Sequence, residues 1–356
     1  MTDFRVSRDA KAGDGADGPP SIGITLGDPA GIGPELVLRV LAAPVADAPA
    51  RFVVYGSAAV LRQVSRQAKL PWPASLDIVP AGPLQARPAG TRPVLLDTPP
   101  PAPIQPGRVQ APCGRLACDW IEAAVHDARR GMLDALVTAP ICKAAIHAAG
   151  VAYPGHTEML ANLTGARHPL MFFWSPSLAV GLVTIHRALA EVTPLINTCA
   201  VLGTIRQVAQ ALSRPGRPRP RIGVLALNPH AGEGGLFGTA EQTAITPAIE
   251  AARVEGIDAR GPLIPDIAFC EGSRRGIDAF VAMYHDQELI PFKMLAFDQG
   301  VNVTLGLPFC RTSPDHGTAF DIAWQGRARD TSLRAAIRYA VDAARPAPGR
   351  TSPGRP

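Results

Sequence analysis

At 356 residues, 47% hydrophobic and 18% charged, the chain has the composition of a globular enzyme. It exceeds the ~250 to 300 residues at which a single core stops growing, so two α/β lobes are expected. The formal charge of +5 is modest and the arginines are scattered, several of them in the tails, which excludes a nucleic-acid-binding stripe. The six cysteines contain no CxxC pair, the N-terminus has no apolar signal region and no run of ~18 apolar residues occurs. These features argue against a disulfide framework, and a chain neither exported nor membrane-spanning, in a reduced cytoplasmic setting, is expected.

Residues 1–20 are rich in glycine and charge, end in Pro19-Pro20, and read as a disordered tail. A strand Ile22–Leu26 follows, then the loop Gly27-Asp28-Pro29-Ala30-Gly31-Ile32-Gly33 and a helix opened by Pro34-Glu35. In such a loop backbone N–H groups can face an anion or a cofactor. A plain tight turn needing glycine reads equally well. No GxGxxG fingerprint follows any early strand. Phe52–Tyr55 reads as a strand and Val60–Ala68 as a helix. From Pro71 to Pro112 frequent prolines erase helical periodicity, and this stretch reads as connection more than core, with Pro93–Asp97 an edge-strand candidate. Cys118–Arg130 carries a helical stripe with His126 beside it, facing solvent. The strand Ala135–Val137 runs into a helix with Lys143, within reach of a site, and His147, read as structural or exposed.

Tyr153-Pro154-Gly155 makes a turn that puts His156 and Thr157 at the next helix N-terminus. Either Thr157 caps that helix, or His156 serves an anion at its positive end. Three apolar runs then end in histidine: Leu178–Ile185 at His186, Ile222–Leu227 before Asn228-Pro229-His230, and Ala279–Tyr284 at His285. Ligands in open α/β sheets bind beyond the strand C-termini, so these strands can deliver three imidazoles to one point. Singly, each histidine reads as a half-buried side chain. Together their common position favours a catalytic metal set, with zinc the first choice and cobalt or nickel suited by ligand type.

The glycine-rich Ala231–Gly235 permits close backbone approach to a ligand, or is a flexible connection. Asp266 is a candidate fourth ligand or water-orienting carboxylate, competing with a helix N-cap. Pro215–Pro220 reads as a surface link, Thr239–Glu255 as a helix, and residues 345–356 as a second disordered tail. Val281–Trp324 holds the densest chemistry. There Lys293, Asn302, Arg311 and His316 are set in apolar or turn-like contexts, which marks a site.

The runs GDPAGIGPE (Gly27–Glu35), PGHTEMLA (Pro154–Ala161), VTIH (Val183–His186), NPHAGEGG (Asn228–Gly235), MYHDQ (Met283–Gln287) and GVNVTLGLPF-RTS-DHGTA (Gly300–Ala319) closely resemble the 4-hydroxythreonine-4-phosphate dehydrogenase family of pyridoxal 5′-phosphate biosynthesis. The resemblance spans about residues 21 to 335. It implies an isocitrate/isopropylmalate dehydrogenase-like fold with two α/β/α lobes around a cleft, and a homodimer with shared active sites. The lobes would be residues 21–140 plus 290–344 on the cofactor side, and 141–289 on the metal and dimer side.

The ligands of the family's divalent metal fall on His186, His230 and His285, in agreement with the strand-end reading; zinc is the expected ion, with magnesium or cobalt as alternatives. Its substrate contacts fall on His156, Thr157, Lys293, Asn302 and Arg311. Asp28, Gly31, His316, Gly317, Thr318 and Asp321 are carried over to NAD, or NADP, because the run Asp315–Asp321 resembles the superfamily's adenosine-binding loop. Lys293, Asp266 and metal-bound water remain as candidates to take the hydroxyl proton.

The implied reaction oxidises a phosphorylated hydroxy amino acid at C3 and then loses carbon dioxide. Dehydrogenation of a four-carbon sugar acid such as 4-phosphothreonate or 4-phosphoerythronate is the alternative, and a metal-dependent hydrolase or phosphate binder is a third reading. Trp324 stands where the resembled family commonly has glycine, which implies a bulkier edge to the adenosine pocket.

Overall fold

A computed structural model describes residues 18–345 except 44–47, 89, 154 and 214–217. The two tails expected to be disordered and half of the Pro215–Pro220 link therefore fall largely outside the described residues. Twelve strands form one mixed sheet: β1 (Ser21–Thr25), β2 (Arg51–Gly56), β3 (Asp77–Pro80), β4 (Val94–Asp97), β5 (Ala135–Thr138), β6 (Leu170–Trp174), β7 (Ala179–Leu182), β8 (Arg221–Leu225), β9 (Asp258–Leu263), β10 (Ala279–Ala282), β11 (Val301–Leu305) and β12 (Cys310–Pro314). Their order across the sheet is β3-β4-β2-β1-β5-β12-β11-β6-β7-β10-β8-β9.

Two parallel blocks, β3-β4-β2-β1-β5-β12 and β7-β10-β8-β9, flank an antiparallel centre in which β12-β11, β11-β6 and β6-β7 reverse direction. Because β7 opposes β6, the second block runs against the first. The parallel strands β1, β5, β7 and β10 are buried along their whole length. Helices cover both faces of such strands, which is why they read as near-continuous apolar runs. The helix Ala111–Arg129 shows how the covering layer is made. Leu116, Trp120, Ile121, Ala124, Val125 and Ala128 recur at helical spacing and are all buried.

Several boundaries depart from the sequence reading. The Pro-rich stretch supplies β3 and β4, and β4 is an interior strand between β2 and β3 with Leu95 and Leu96 buried. Its pairing partners are distant in sequence, so local composition hid them. The helix expected over Thr239–Glu255 opens as a π-helical turn, Glu241–Ile245, and becomes α-helical only over Thr246–Val254. No helix of the described residues is long and apolar enough to cross a membrane.

Candidate functional site

The strands preceding the three histidines are neighbours in the order β7-β10-β8 and run parallel, so their exits share one edge of the sheet. Side chains stitch these exits together. Thr184 Oγ1 donates to the Met283 carbonyl at 2.7 Å, tying the segment after β7 to the segment after β10. Gln287, buried, accepts from the Met283 N–H through Oε1 and donates from Nε2 to the Ala226 carbonyl, each at 2.7 Å, which links β10 to β8.

The result is a histidine pair. His186 and His285 have ring centroids 5.6 Å apart, and His285 is the first residue of the helix His285–Ala296. Burial first, then the charges of Lys143 and His285, push the His186 imidazolium down, so the neutral, lone-pair-bearing form is favoured. His285 Nδ1 lies 2.7 Å from Asp286 Oδ1, an orienting contact typical of ligating imidazoles.

His230 is exposed on the adjoining exit, its ring 6.3 Å from that of Phe237. Neither His230 nor Asp266 completes a group of three metal-ligating side chains with the pair among the described residues of one chain. Asp266 is exposed in the first turn of the short helix Pro265–Ala268, whose N-cap is Ile264, so Asp266 is not the cap that the sequence allowed.

A second cluster lies where β5, β11 and β12 meet. Arg311 on β12 is 1% exposed, and its guanidinium donates to Thr138 Oγ1 (2.6 and 3.2 Å) and Thr304 Oγ1 (3.0 Å). Burial lowers its pKa from 12.5 to about 9, with no carboxylate among the contributing charges. Among the described residues the cation has no anionic partner within the chain. His156 opens the helix His156–Thr164, which has no side-chain cap, so Thr157 does not perform the capping role. Burial, then Arg311 and Lys143, hold His156 well below its ordinary pKa, and its Nε2 is closed from solvent without a hydrogen-bond partner. Asn302 Oδ1 on β11 is a further buried atom with no partner.

Lys143 and Glu158 bridge the two clusters. A Cβ on Gly155 would lie 3.3 Å from Glu158 Oε2 and 3.4 Å from Lys143 Cε, so both side chains close over that glycine. Their charges act on His186 as well, and Lys143 also acts on His156. Further along the helix that His285 opens, Lys293 Nζ lies 3.8 Å from Asp315 Oδ2. Glu288 is completely buried, with both oxygens unpartnered. Its pKa is raised well above the ordinary value by burial and then Asp315, against the pull of Lys293.

Thr138, Thr304, Asp315 and Glu288 were not singled out in the sequence. Thr138, a hydroxyl closing the buried strand ALVT, was the signal available. The others depend on pairings set by the sheet.

The glycine loop Gly27–Gly33 docks on the segment that carries His316, Gly317 and Thr318. The Ile32 N–H donates to the Thr318 carbonyl at 3.0 Å, and a Cβ on Gly31 would lie 3.0 Å from Thr318 Cβ. Gly27 (φ 68°) passes so close to Pro140 that a Cβ would lie 2.2 Å from its carbonyl oxygen. Asp28 is buried. Its Oδ1 accepts from the Ala30 N–H at 2.8 Å, its Oδ2 has no partner, and burial raises its pKa from 3.8 to about 6. His316 is exposed with Nδ1 3.1 Å from the Gly317 carbonyl, and Asp321 is exposed in the turn Phe320–Ile322. Trp324, expected at the edge of this region, is instead completely buried and donates from Nε1 to the Pro29 carbonyl at 3.1 Å. Its bulk fills the core beneath the loop. Its φ of 62° is a left-handed value, which explains why glycine suits the position.

A buried guanidinium bonded to two hydroxyls and facing no carboxylate among the described residues has the chemistry to receive an anion, and the histidine pair at parallel strand ends has the chemistry of metal donors, in an α/β protein. The family model for the pyridoxal phosphate biosynthetic protein PdxA matches residues 48–340. The chain belongs to this family of dehydrogenases. It is 45% identical to 4-hydroxythreonine-4-phosphate dehydrogenase of Geobacter metallireducens, over 92% of this chain and 96% of the relative. It is 42% identical to D-threonate 4-phosphate dehydrogenase of Salmonella typhimurium, over 91% and 99%. The crystal structure of 4-hydroxythreonine-4-phosphate dehydrogenase from Klebsiella pneumoniae superposes with a TM-score of 0.81 at 42% identity, covering 92% of this chain and 99% of that one.

Proposed function

We propose that the chain oxidises 4-phosphohydroxy-L-threonine at C3 with NAD, giving 2-amino-3-oxo-4-phosphooxybutanoate, which decarboxylates to 3-amino-2-oxopropyl phosphate in pyridoxal 5′-phosphate biosynthesis. The observation that carries this reading is Arg311, a buried cation without a carboxylate, flanked by the unpartnered His156 Nε2 and Asn302 Oδ1. Arg311 offers a forked donor set to phosphate or carboxylate oxygens. Neutral His156 has a ring nitrogen for the same ligand, Thr157 lies beside it in the first helical turn, and Lys293 would add a further charge.

The donor chemistry fits a divalent metal, with zinc first and magnesium or cobalt as alternatives. His186 is held neutral and His285 is oriented by Asp286, and His230 would complete the set from the partner protomer of a homodimer. The metal and NAD, when bound, supply Lewis acidity at the C3 oxygen and a hydride acceptor. Asp28, Gly31, His316, Gly317, Thr318 and Asp321 would line the NAD site, or that of NADP. The unpartnered Asp28 Oδ2 beside the closely docked glycine loop supports this assignment. Lys293, whose Nζ lies 3.8 Å from Asp315 Oδ2, Asp266 and metal-bound water are the candidates to take the hydroxyl proton.

The lobes are read as residues 21–140 plus 290–344 and 141–289, in a cytoplasmic homodimer. An exposed stripe on the helix His285–Ala296 and just beyond it supports the dimer: Ile290 (61% exposed), Met294 (81%) and Phe297 (69%).

A second reading, oxidation of D-threonate 4-phosphate, is favoured by the Salmonella relative at similar identity. NADH formation by the purified protein with added zinc, magnesium or cobalt decides between them. Turnover of 4-phosphohydroxy-L-threonine supports the first reading, and turnover of 4-phosphothreonate alone supports the second. Absence of NADH with either would sink both.

A further inference from the structure

The turn that carries His230 has an unusual backbone. His230 (φ 52°), Ala231 (54°), Gly232 (80°), Glu233 (42°) and Gly234 (67°) are consecutive left-handed residues. Residues other than glycine enter this region singly and at a cost, so a run that includes histidine, alanine and glutamate has to be held from outside. The holding group is Glu241. Its Oε1 accepts from the backbone N–H groups of Leu227 (2.8 Å) and Asn228 (2.7 Å), and its Oε2 accepts from Asn228 Nδ2 (3.0 Å).

The carboxylate also sits under the middle of the turn. A Cβ on Gly232 would lie 2.7 Å from Glu241 Oε2, and one on Gly238 would lie 2.8 Å from Asn228 Nδ2. Glu241 reaches this place as the first residue of the π-helical turn Glu241–Ile245, a widened geometry that recurs at functional sites. The residue is buried, whereas the His230 ring it supports is left exposed. Burial alone would raise the Glu241 pKa, yet the hydrogen bonds from Asn228 and Leu227 bring it below the ordinary value, so the anchor is anionic.

We propose that Glu241 is a positioning residue for His230: through Leu227, Asn228 and Gly232 it fixes the left-handed turn that presents this imidazole as a metal donor. The inference rests on the metal reading given above. Outer groups that orient a ligand are worth roughly ten- to hundredfold in metal affinity. Glu241→Gln keeps an oxygen for the two backbone N–H groups but turns an NH2 toward the Asn228 NH2, and Asn228→Asp in the same chain restores a donor–acceptor pair.

The test titrates the full chain and its variants with zinc, records the visible absorption of the cobalt(II) forms, and follows amide hydrogen exchange over residues 228–236. Glu241→Gln is expected to weaken zinc binding by about ten- to hundredfold, alter the cobalt spectrum and speed exchange in the turn while far-UV circular dichroism is retained. The Glu241→Gln/Asn228→Asp double variant is expected to recover most of the affinity. If Glu241→Gln fails to fold, Asn228→Ala, which removes one of the three bonds, is expected to show a smaller loss in the same direction. Loss of zinc in His230→Ala, with parent affinity and parent exchange in the Glu241 or Asn228 variants, overturns this inference and leaves the metal reading standing. Parent zinc affinity in His230→Ala sinks both.

Discussion

Arg311 places a guanidinium in the interior against two threonine hydroxyls with no carboxylate opposite. Burying such a charge costs free energy that the threonine hydroxyls offset in part and an incoming anion would offset further. Arg311→Met is therefore expected to leave the melting temperature within a few degrees of the parent while raising KM for the phosphorylated substrate. Hydrogen bonds to charged groups are worth about 1.5–3 kcal/mol, a rise of roughly ten- to hundredfold. Steady-state kinetics checks the second part, and an unchanged KM would remove Arg311 from the substrate site.

Asp28 allows a signed pH prediction. Its folded pKa of about 6 lies above the ordinary 3.8 because burial penalises the carboxylate. The stabilisation is thus complete below the unfolded value and is lost as pH rises through about 6. The stability difference between Asp28→Asn and the parent should shift in favour of the variant by on the order of 1–3 kcal/mol between about pH 4 and about pH 7. Parallel thermal-denaturation profiles over that range would show that the carboxyl is not held neutral.

Trp324 shows how a side chain that looked like a pocket edge can be core. Its burial and its bond to Pro29 outweigh an unfavourable φ. Trp324→Gly relaxes that backbone angle yet is expected to cost about 3–5 kcal/mol in denaturant melts, the usual loss for a large buried aromatic.

At the level of elements, strands with continuous apolar runs were legible. The bounds of β1, β2, β5, β7, β8 and β10 all fall within three residues of where the sequence placed them. Their histidine-bearing exits were legible too, because a polar residue closing an apolar run marks a strand end. β4 was read as an edge-strand candidate at nearly its observed bounds, but its interior place was not legible, since pairing with both β2 and β3 sets it. The π-helical turn at Glu241 was also missed, as periodicity alone does not separate it from an α-helix.

The helix His285–Ala296 combines two roles. Its first residue is one of the histidine pair, and Ile290 and Met294, followed by Phe297, form an exposed apolar stripe at i, i+4 and i+7. Met294→Glu puts a charge in that stripe and is expected to shift a dimer to monomer at micromolar concentration, read by light scattering after gel filtration. A variant that stays dimeric would move the interface elsewhere.

On the scale of the whole molecule, one twelve-stranded sheet with oppositely directed parallel blocks sets β12 beside β5 and β11 beside β6, and so brings residues from the C-terminal third of the chain next to those of its middle. A metal bound only by the folded state stabilises it by mass action. Chelation is expected to lower the melting temperature by several degrees, and added zinc to restore it. The same melting temperature with and without chelator would argue against a bound structural or catalytic ion.

Taken alone, the sequence determined the α/β class, the family through its runs of motif, the histidines at strand ends and the cationic residues around them. These follow from local periodicity and from residue types at fixed spacings. Only the tertiary structure decided that Arg311 has no counter-charge among the described residues, that His186 and His285 pair while His230 stands apart on a left-handed turn, and that Glu241 holds that turn. Each of these depends on what a side chain meets across the sheet, where burial sets its charge and distant strands supply or withhold its partner.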